Sequence, residues 1–418
     1  MYNTIKRFFK HWTTRFLFIM ALMGPGIITA VADNDAAGVS TYSLAAATFG
    51  YQILIILIPM TLLLAVTQEI GARIAIVAEK GLADLIREQF GVRVAIWMYG
   101  LLFFINLVVI ITDVSGIKSA LVLFGFNPIV ALPFIIAGLY FFVMRTTYST
   151  IEKFFFILIG FYATYIISAF MAKPDWGLAT KSLFVPTGTI TPKFLYVAIA
   201  VIGTTITAWG QFFINSYVKD KRISIENIKY NKIEVYVGAF LTDALTFFMI
   251  VAVAVAIFQN NLTITSAADA AMAIQPIAGN FAGVMLGVGL LIAGILGCVI
   301  VALTTAYAFS EFFGYSGSLD EDFRKSKLFY TTLLVQLVIA TAIVMLPQIS
   351  LFAISLIANF INGLFLPVIF FFLYKIANNE SVMGQYRNNH WQNFMLVSAS
   401  IVIMTATSVS IIGSVMGW

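Results

Sequence analysis

The chain has 418 residues, of which 61% are hydrophobic and only 10% charged, with a formal net charge of +5. A soluble globular domain carries about 25% charged residues, so this composition excludes one and points to an all-α polytopic membrane protein. Cys298 is the only cysteine, and His11 and His390 are the only histidines. Internal disulfides and thiolate metal cages are therefore excluded, and an imidazole metal site inside the membrane is not expected.

Residues 1–13 read as a basic, aromatic cytoplasmic tail. A bilayer core of about 30 Å needs roughly 20 apolar residues per helix. Eleven such spans follow, near 14–47, 50–77, 94–122, 128–144, 151–172, 193–218, 233–258, 279–313, 328–346, 349–376 and 393–415. With the amino terminus inside, only Lys118, Lys173, Lys181 and Lys193 fall outside, leaving 20 of the 24 Lys and Arg within. The positive-inside rule then predicts a cytoplasmic amino terminus and an extracellular carboxyl terminus. The positive balance reflects loops against anionic lipid, and no nucleic-acid partner is expected.

The first span is interrupted. Gly24-Pro25-Gly26 opens it, and Asp33-Asn34-Asp35 followed by Ala36-Ala37-Gly38 puts two acids in mid-span. A charge at the bilayer centre costs at least roughly 2.5–3.5 kcal/mol, so these acids are expected to face a protein interior and a cation. Asp35 is the leading candidate metal ligand, with Asp33 and Asn34 behind it. If the segment stays helical, residues two apart face different ways and only one acid can reach the site. The plain alternative, solvated acids at a helix end, fits poorly because the span runs on through Tyr42 to Phe49.

Further polar groups follow in chain order. Glu69 and Arg73, four apart on the second span, are expected to pair structurally. Asp113 on the third span and Asp243 on the seventh either line an ion path, carry a proton or complete the site, or serve as satisfied structural acids. The sixth span is interrupted at Gly203-Thr204-Thr205-Ile206-Thr207-Ala208-Trp209-Gly210-Gln211. Thr207, with carbonyls near Ile206 and Ala36, offers hard oxygen donors suited to Mg²⁺, Ca²⁺ or Mn²⁺. Gly and Thr also serve helix packing; the matching interruption in the first span favours a site. Gln211, Asn359 and Asn362 are candidates for holding water ligands of a hydrated ion, or for interhelical hydrogen bonds. Interruptions in spans one and six, five helices apart, mark a transporter built from inverted repeats, with unwound backbone lining a cavity at the midplane.

Gly24-Pro25-Gly26, Asp35 and the closing Phe49-Gly50-Tyr51 resemble the first-span signature of the Nramp family of divalent-metal transporters. Thr112-Asp113, the sixth-span pattern and Leu290-Leu291 with Ala293-Gly294 are similar to that family as well. The resemblance implies a LeuT-type fold across residues 1–418 as one transporter domain. Its first repeat covers 14–172, its second 193–376, and 393–415 is an extra helix. A cation site is implied between the breaks of spans one and six. The metal is then substrate, with no cofactor, and no enzyme is expected. The chain is expected to act as a monomer in the lipid bilayer of the plasma membrane.

The departures from the family pattern carry information. The family's Asp-Pro-Gly-Asn motif reads Asp35-Ala36-Ala37-Gly38 here, and its Met-Pro-His motif reads Thr207-Ala208-Trp209. Losing a thioether removes a soft ligand that favours Mn²⁺ and Fe²⁺. Losing the Asn side chain at Gly38 is expected to widen the cavity, which Trp209 and Gly210 then shape, for a partly hydrated Mg²⁺. This pattern resembles the prokaryotic Nramp-related magnesium transporters. Where the family has Glu three residues after the third-span Asp, this chain has Gly116. Trp209 replaces the family's His, and no basic residue lies between Tyr330 and Pro347, where the family has an Arg. These losses predict import without proton coupling. Two rivals stay open: a proton-coupled Mn²⁺/Fe²⁺ carrier, and a Na⁺-coupled amino-acid or organic-solute symporter of the same fold.

Overall fold

The computed structural model describes residues 24–264, 282–315, 317–346 and 351–416. The expected tail at 1–13 and the start of the first span lie outside the described residues. The helices, in order, are α1 (Pro25–Ala32), α2 (Ala36–Phe49), α3 (Leu57–Ala78), α4 (Leu82–Phe90), α5 (Val92–Leu123), α6 (Pro128–Arg145), α7 (Tyr148–Gly160), α8 (Ala163–Met171) and α9 (Trp176–Lys181). They continue with α10 (Pro192–Thr205), α11 (Ala208–Asp220), α12 (Ile228–Val253), α13 (Ala282–Phe313), α14 (Lys327–Val344), α15 (Leu351–Ala377), α16 (Glu380–Met383) and α17 (His390–Met416).

Ten stretches among the described residues are long and apolar enough to cross a membrane. One of them, Ala36–Ala78, is 43 residues long. At about 1.5 Å per residue that is about twice the thickness of a bilayer core, and it turns at Gly50, whose φ of 53° lies in the left-handed region. Counting it as two gives the eleven crossings expected. The interrupted spans are α1–α2 and α10–α11. Between α3 and α5 the chain adds α4, an amphipathic helix with Leu82, Leu85 and Ile86 buried and Asp84, Arg87 and Glu88 on its other side.

Local sequence sets the helix starts. Pro128 and Pro192 occupy first helical positions, where no N–H is needed, behind the capping side chains of Asn127 and Thr191. The sixth span is the most enclosed: 94% of its most apolar window is buried, against 22% for the fifth and eleventh spans. The break in α10–α11 therefore sits at the centre of the bundle. Alongside it, α1 crosses α12 at backbone contact. A Cβ on Gly238 would lie 2.8 Å from the Gly26 carbonyl oxygen, so only glycine permits that approach, as at many membrane helix crossings.

Glu69 and Arg73 pair as expected, Nε to Oε1 at 2.9 Å, and both are buried. The pair also reaches the eleventh span. Gln392 Nε2 donates to Glu69 at 2.6 Å, and Arg73 donates to the Asn388 side chain at 2.8 Å and to the Tyr386 carbonyl. At the opposite end of the bundle, Lys118 Nζ donates to the Val344 carbonyl at 2.7 Å, tying the end of α5 to the end of α14.

Candidate functional site

Both breaks are built in the same way. After α1, Asp33-Asn34-Asp35 forms a tight turn. Asp35 is extended, with ψ of −179°, and its Oδ1 accepts the Gly38 N–H at 2.7 Å, capping α2. After α10, Ile206 leaves the helical region at φ −108° and ψ 72°. Thr207 is extended and its Oγ1 accepts the Gly210 N–H at 2.9 Å, capping α11. Asp and Thr are both good capping residues because a short side-chain oxygen reaches the N–H three residues on.

Each cap releases a carbonyl. In a continuous helix the Gly38 and Gly210 N–H groups would pair with the carbonyls of Asn34 and Ile206. Tyr162 donates its hydroxyl to the Asn34 carbonyl at 2.8 Å. The first N–H of each capped helix is met from a neighbouring span: Ala36 donates to Asp113 Oδ1 at 3.1 Å, and Ala208 to Asn362 Oδ1 at 3.3 Å.

The two breaks meet at one point. The Thr207 hydroxyl donates to Asp33 Oδ1 at 3.4 Å, and the second Asp33 oxygen is buried with no partner among the described residues. Because the segment is a turn and not a helix, the two acids are not forced to opposite faces. Asp33 is the acid that reaches the sixth span, while Asp35 holds the turn from the α2 side.

The remaining candidates divide by their partners. The Asn34 carboxamide is taken up by α12: Nδ2 donates to the Thr242 hydroxyl at 2.6 Å, and Oδ1 accepts from Thr246 at 3.1 Å. These bonds tie the first break to α12. The Ala36 carbonyl accepts the Ser40 hydroxyl at 2.7 Å, inside the first turn of α2. Asn359 Nδ2 donates to the Ala37 carbonyl at 3.2 Å and to Thr41 at 2.8 Å, clamping α15 to α2. Asp243 Oδ2 accepts from Thr61 at 2.5 Å. Buried and unpartnered atoms are left on Asp33, Asp113, Asp243, Asn362, Gln211 and the indole N–H of Trp209.

Gly38 is fixed by sterics. A Cβ there would stand 2.2 Å from the Asp33 carbonyl oxygen, so no side chain fits while this turn keeps its shape. Among the described residues no group of three or more His, Cys, Asp or Glu side chains is placed to hold a metal. A cation at this point would need hydroxyls, carbonyls, carboxamides or water to complete its coordination, as hard oxygen-loving cations accept. Every named hydrogen-bond partner of Asp33, Asp35, Asp113 and Asp243 is a hydroxyl or a backbone N–H. The four buried acids therefore have no basic partner among those bonds.

A family model described as natural resistance-associated macrophage protein-like matches residues 26–413. The chain belongs to the Nramp family. A Bacillus subtilis protein named divalent metal cation transporter MntH is 24% identical over 396 residues, covering 89% of this chain and 87% of that one. A solved manganese transporter from Eremococcus coleocola superposes with a TM-score of 0.74 at 17% identity, covering 95% and 87% of the two chains. Mhp1, described as a nucleobase-cation-symport-1 family transporter, superposes at 0.60 with 13% identity, covering 93% and 91%. These likenesses establish the LeuT-type architecture that the family resemblance implied.

Several groups at this Nramp site escaped the sequence reading. Tyr162, Thr242 and Thr246 hold the first break, and Gln68 lies buried in the second span with both amide atoms unpartnered. Glu234 on α12 accepts the Gly24 and Ile27 N–H groups, each at 2.9 Å, and so caps α1. Only Gln68 left a trace in the sequence, as part of the polar run Thr67-Gln68-Glu69 in an otherwise apolar helix.

Proposed function

We propose that this chain imports divalent metal cations across the plasma membrane by alternating access, with Mg²⁺ as principal substrate and Mn²⁺ also carried, without proton coupling. The contact between Asp33 and Thr207 across the two breaks carries this reading. It joins carboxylate and hydroxyl oxygen where the family pattern has a thioether, and hard oxygen donors favour Mg²⁺ over softer ions. Asp35 and Asp33 supply the charge. Thr207 and the released Ile206 carbonyl supply further oxygens, directly or through water.

The absence of coupling rests on packing as well as on residue identity. A Cβ at Gly116 would lie 2.4 Å from the Ala36 Cβ, so the Glu of the family pattern does not fit there beside this break. Trp209 is fully buried where that pattern has a titratable His. An inside-negative potential contributes about 2.3 kcal/mol per charge per 100 mV, and twice that for a divalent ion. The basic end of the bundle faces the cytoplasm in this reading, with the carboxyl terminus outside.

The test is ion flux into proteoliposomes of the purified protein, with a Mg²⁺-sensitive dye and a pH dye inside. Saturable, potential-driven Mg²⁺ entry with no acidification is expected. Mn²⁺ entry with acidification and no Mg²⁺ signal would overturn the reading in favour of a proton-coupled Mn²⁺/Fe²⁺ carrier.

A further inference from the structure

Two buried glutamines beside the breaks have no partner among the described residues. Gln68 on α3 and Gln211 on α11 are fully enclosed, and the oxygen and nitrogen of both carboxamides lack any hydrogen bond. Buried polar groups are normally satisfied. Four orphaned amide atoms at one seam therefore call for an occupant.

Their placement follows from the seam itself. Asn215 Nδ2 donates to the Gly71 carbonyl at 2.9 Å, and a Cβ on Gly71 would lie 3.1 Å from Ile214 and 3.6 Å from the Gln211 carbonyl. Ala75 and Ile76 share one apolar cluster with Ile214 and Val218, and Ala75 and Glu79 line the same cavity as Val218 and Lys219, so the two helices run in the same direction. Gln68 lies one turn before Gly71, and Gln211 one turn before Asn215. Both carboxamides thus sit on the seam one turn nearer the breaks. Gln211 is also one turn beyond Thr207, whose hydroxyl meets Asp33.

We propose that Gln68 and Gln211 together hold water ligands of the transported ion, and so select a divalent cation that keeps part of its hydration shell. The inference rests on the reading of this site as a divalent-cation site. Water bound to a divalent cation presents strongly polarised hydrogens and needs acceptors. The two carboxamide oxygens are such acceptors. Mg²⁺ dehydrates reluctantly and usually keeps several waters, so it gains most from this arrangement. The two glutamines are positioning residues that act through water.

The test uses full-length protein in proteoliposomes, with Mg²⁺ and Mn²⁺ uptake measured for wild type, Gln68→Met and Gln211→Met. Met matches the length of Gln and removes its hydrogen bonding. Each Met variant is expected to raise KM for Mg²⁺ about tenfold and KM for Mn²⁺ by less than about threefold, the loss of one water-bridged contact to a charged centre. Equal changes for both ions, or none, overturn the inference while leaving the transport reading intact. Wild type that passes Mn²⁺ but no Mg²⁺ overturns both. Gln68→Glu and Gln211→Glu keep an acceptor oxygen and are expected to retain Mg²⁺ uptake. If a Met variant does not yield a monodisperse protein, the Glu variants decide: loss of Mg²⁺ uptake in a well-folded Glu variant overturns the proposal.

Discussion

The Thr207 hydroxyl reaches Asp33 Oδ1 at 3.4 Å while its oxygen caps the Gly210 N–H at 2.9 Å. One side chain therefore ends the sixth-span break and joins it to the first. Thr207→Ser keeps both contacts and is expected to keep Mg²⁺ uptake. Thr207→Val removes both, costs about 1 kcal/mol of cap stability, and is expected to reduce Mg²⁺ uptake at least about tenfold. Thr207→Met brings back a thioether, so uptake is expected to shift from Mg²⁺ toward Mn²⁺ and Cd²⁺. Competition of each metal against Mg²⁺ entry reads the shift, and an unchanged ion ranking in Thr207→Met would remove this residue from the selectivity site.

Asp35 has two separable roles, cap and charge. Asn caps a helix about as well as Asp, so Asp35→Asn is expected to keep the Gly38 contact and to melt no lower than the wild type. Its metal flux is nonetheless expected to vanish, because one of the two carboxylates at the break is lost. Asp35→Ala loses both, with flux abolished and stability lowered by about 1 kcal/mol. Flux and melting temperature measured side by side separate the two roles. Wild-type flux in either variant would falsify the assignment of Asp35.

The span count and the existence of two breaks were readable because charges and Gly-Thr runs are anomalous inside apolar helices. Asp33, Asn34, Asp35 and Thr207 stand out for that reason, and the structure places them at the two breaks. Their division of labour was not readable. Asn34 anchors to Thr242 and Thr246 because α12 passes behind the turn, and two threonines in a membrane helix carry no distinguishing mark. Glu234 is similarly hidden: it caps α1 across more than 200 residues of sequence, and only the crossing of α1 on α12 reveals it. In the sequence Gly38 stands for a lost ligand whose absence widens the cavity. The structure adds that the Asp33 carbonyl occupies the space a side chain would need.

That steric fact gives a prediction against simple motif grafting. Gly38→Asn restores the family motif's residue, yet its Cβ would lie 2.2 Å from the Asp33 carbonyl oxygen. The turn must shift before the carboxamide can reach an ion. Both Gly38→Asn and Gly38→Ala are expected to lower Mg²⁺ uptake sharply and to destabilise the protein by about 1–3 kcal/mol, as overpacking does. If Gly38→Asn gains Mn²⁺ uptake at undiminished stability, the turn is more pliant than its packing implies.

The buried pair Glu69–Arg73 gives a prediction on stability alone. Removing one member strands the other in a buried place, which typically costs about 3–5 kcal/mol, whereas replacing both by apolar residues is often nearly neutral. Arg73→Met is therefore expected to lower the melting temperature strongly, because among the described residues Glu69 keeps only Gln392 as a donor. Glu69→Met should do the same less severely, since Arg73 still has Asn388 and the Tyr386 carbonyl. The double variant is expected to recover most of the loss. Thermal unfolding of the four proteins in one detergent forms a complete cycle. Additive losses in the double variant would mean that the two side chains act independently and that the contact between the second and eleventh spans rests on other groups.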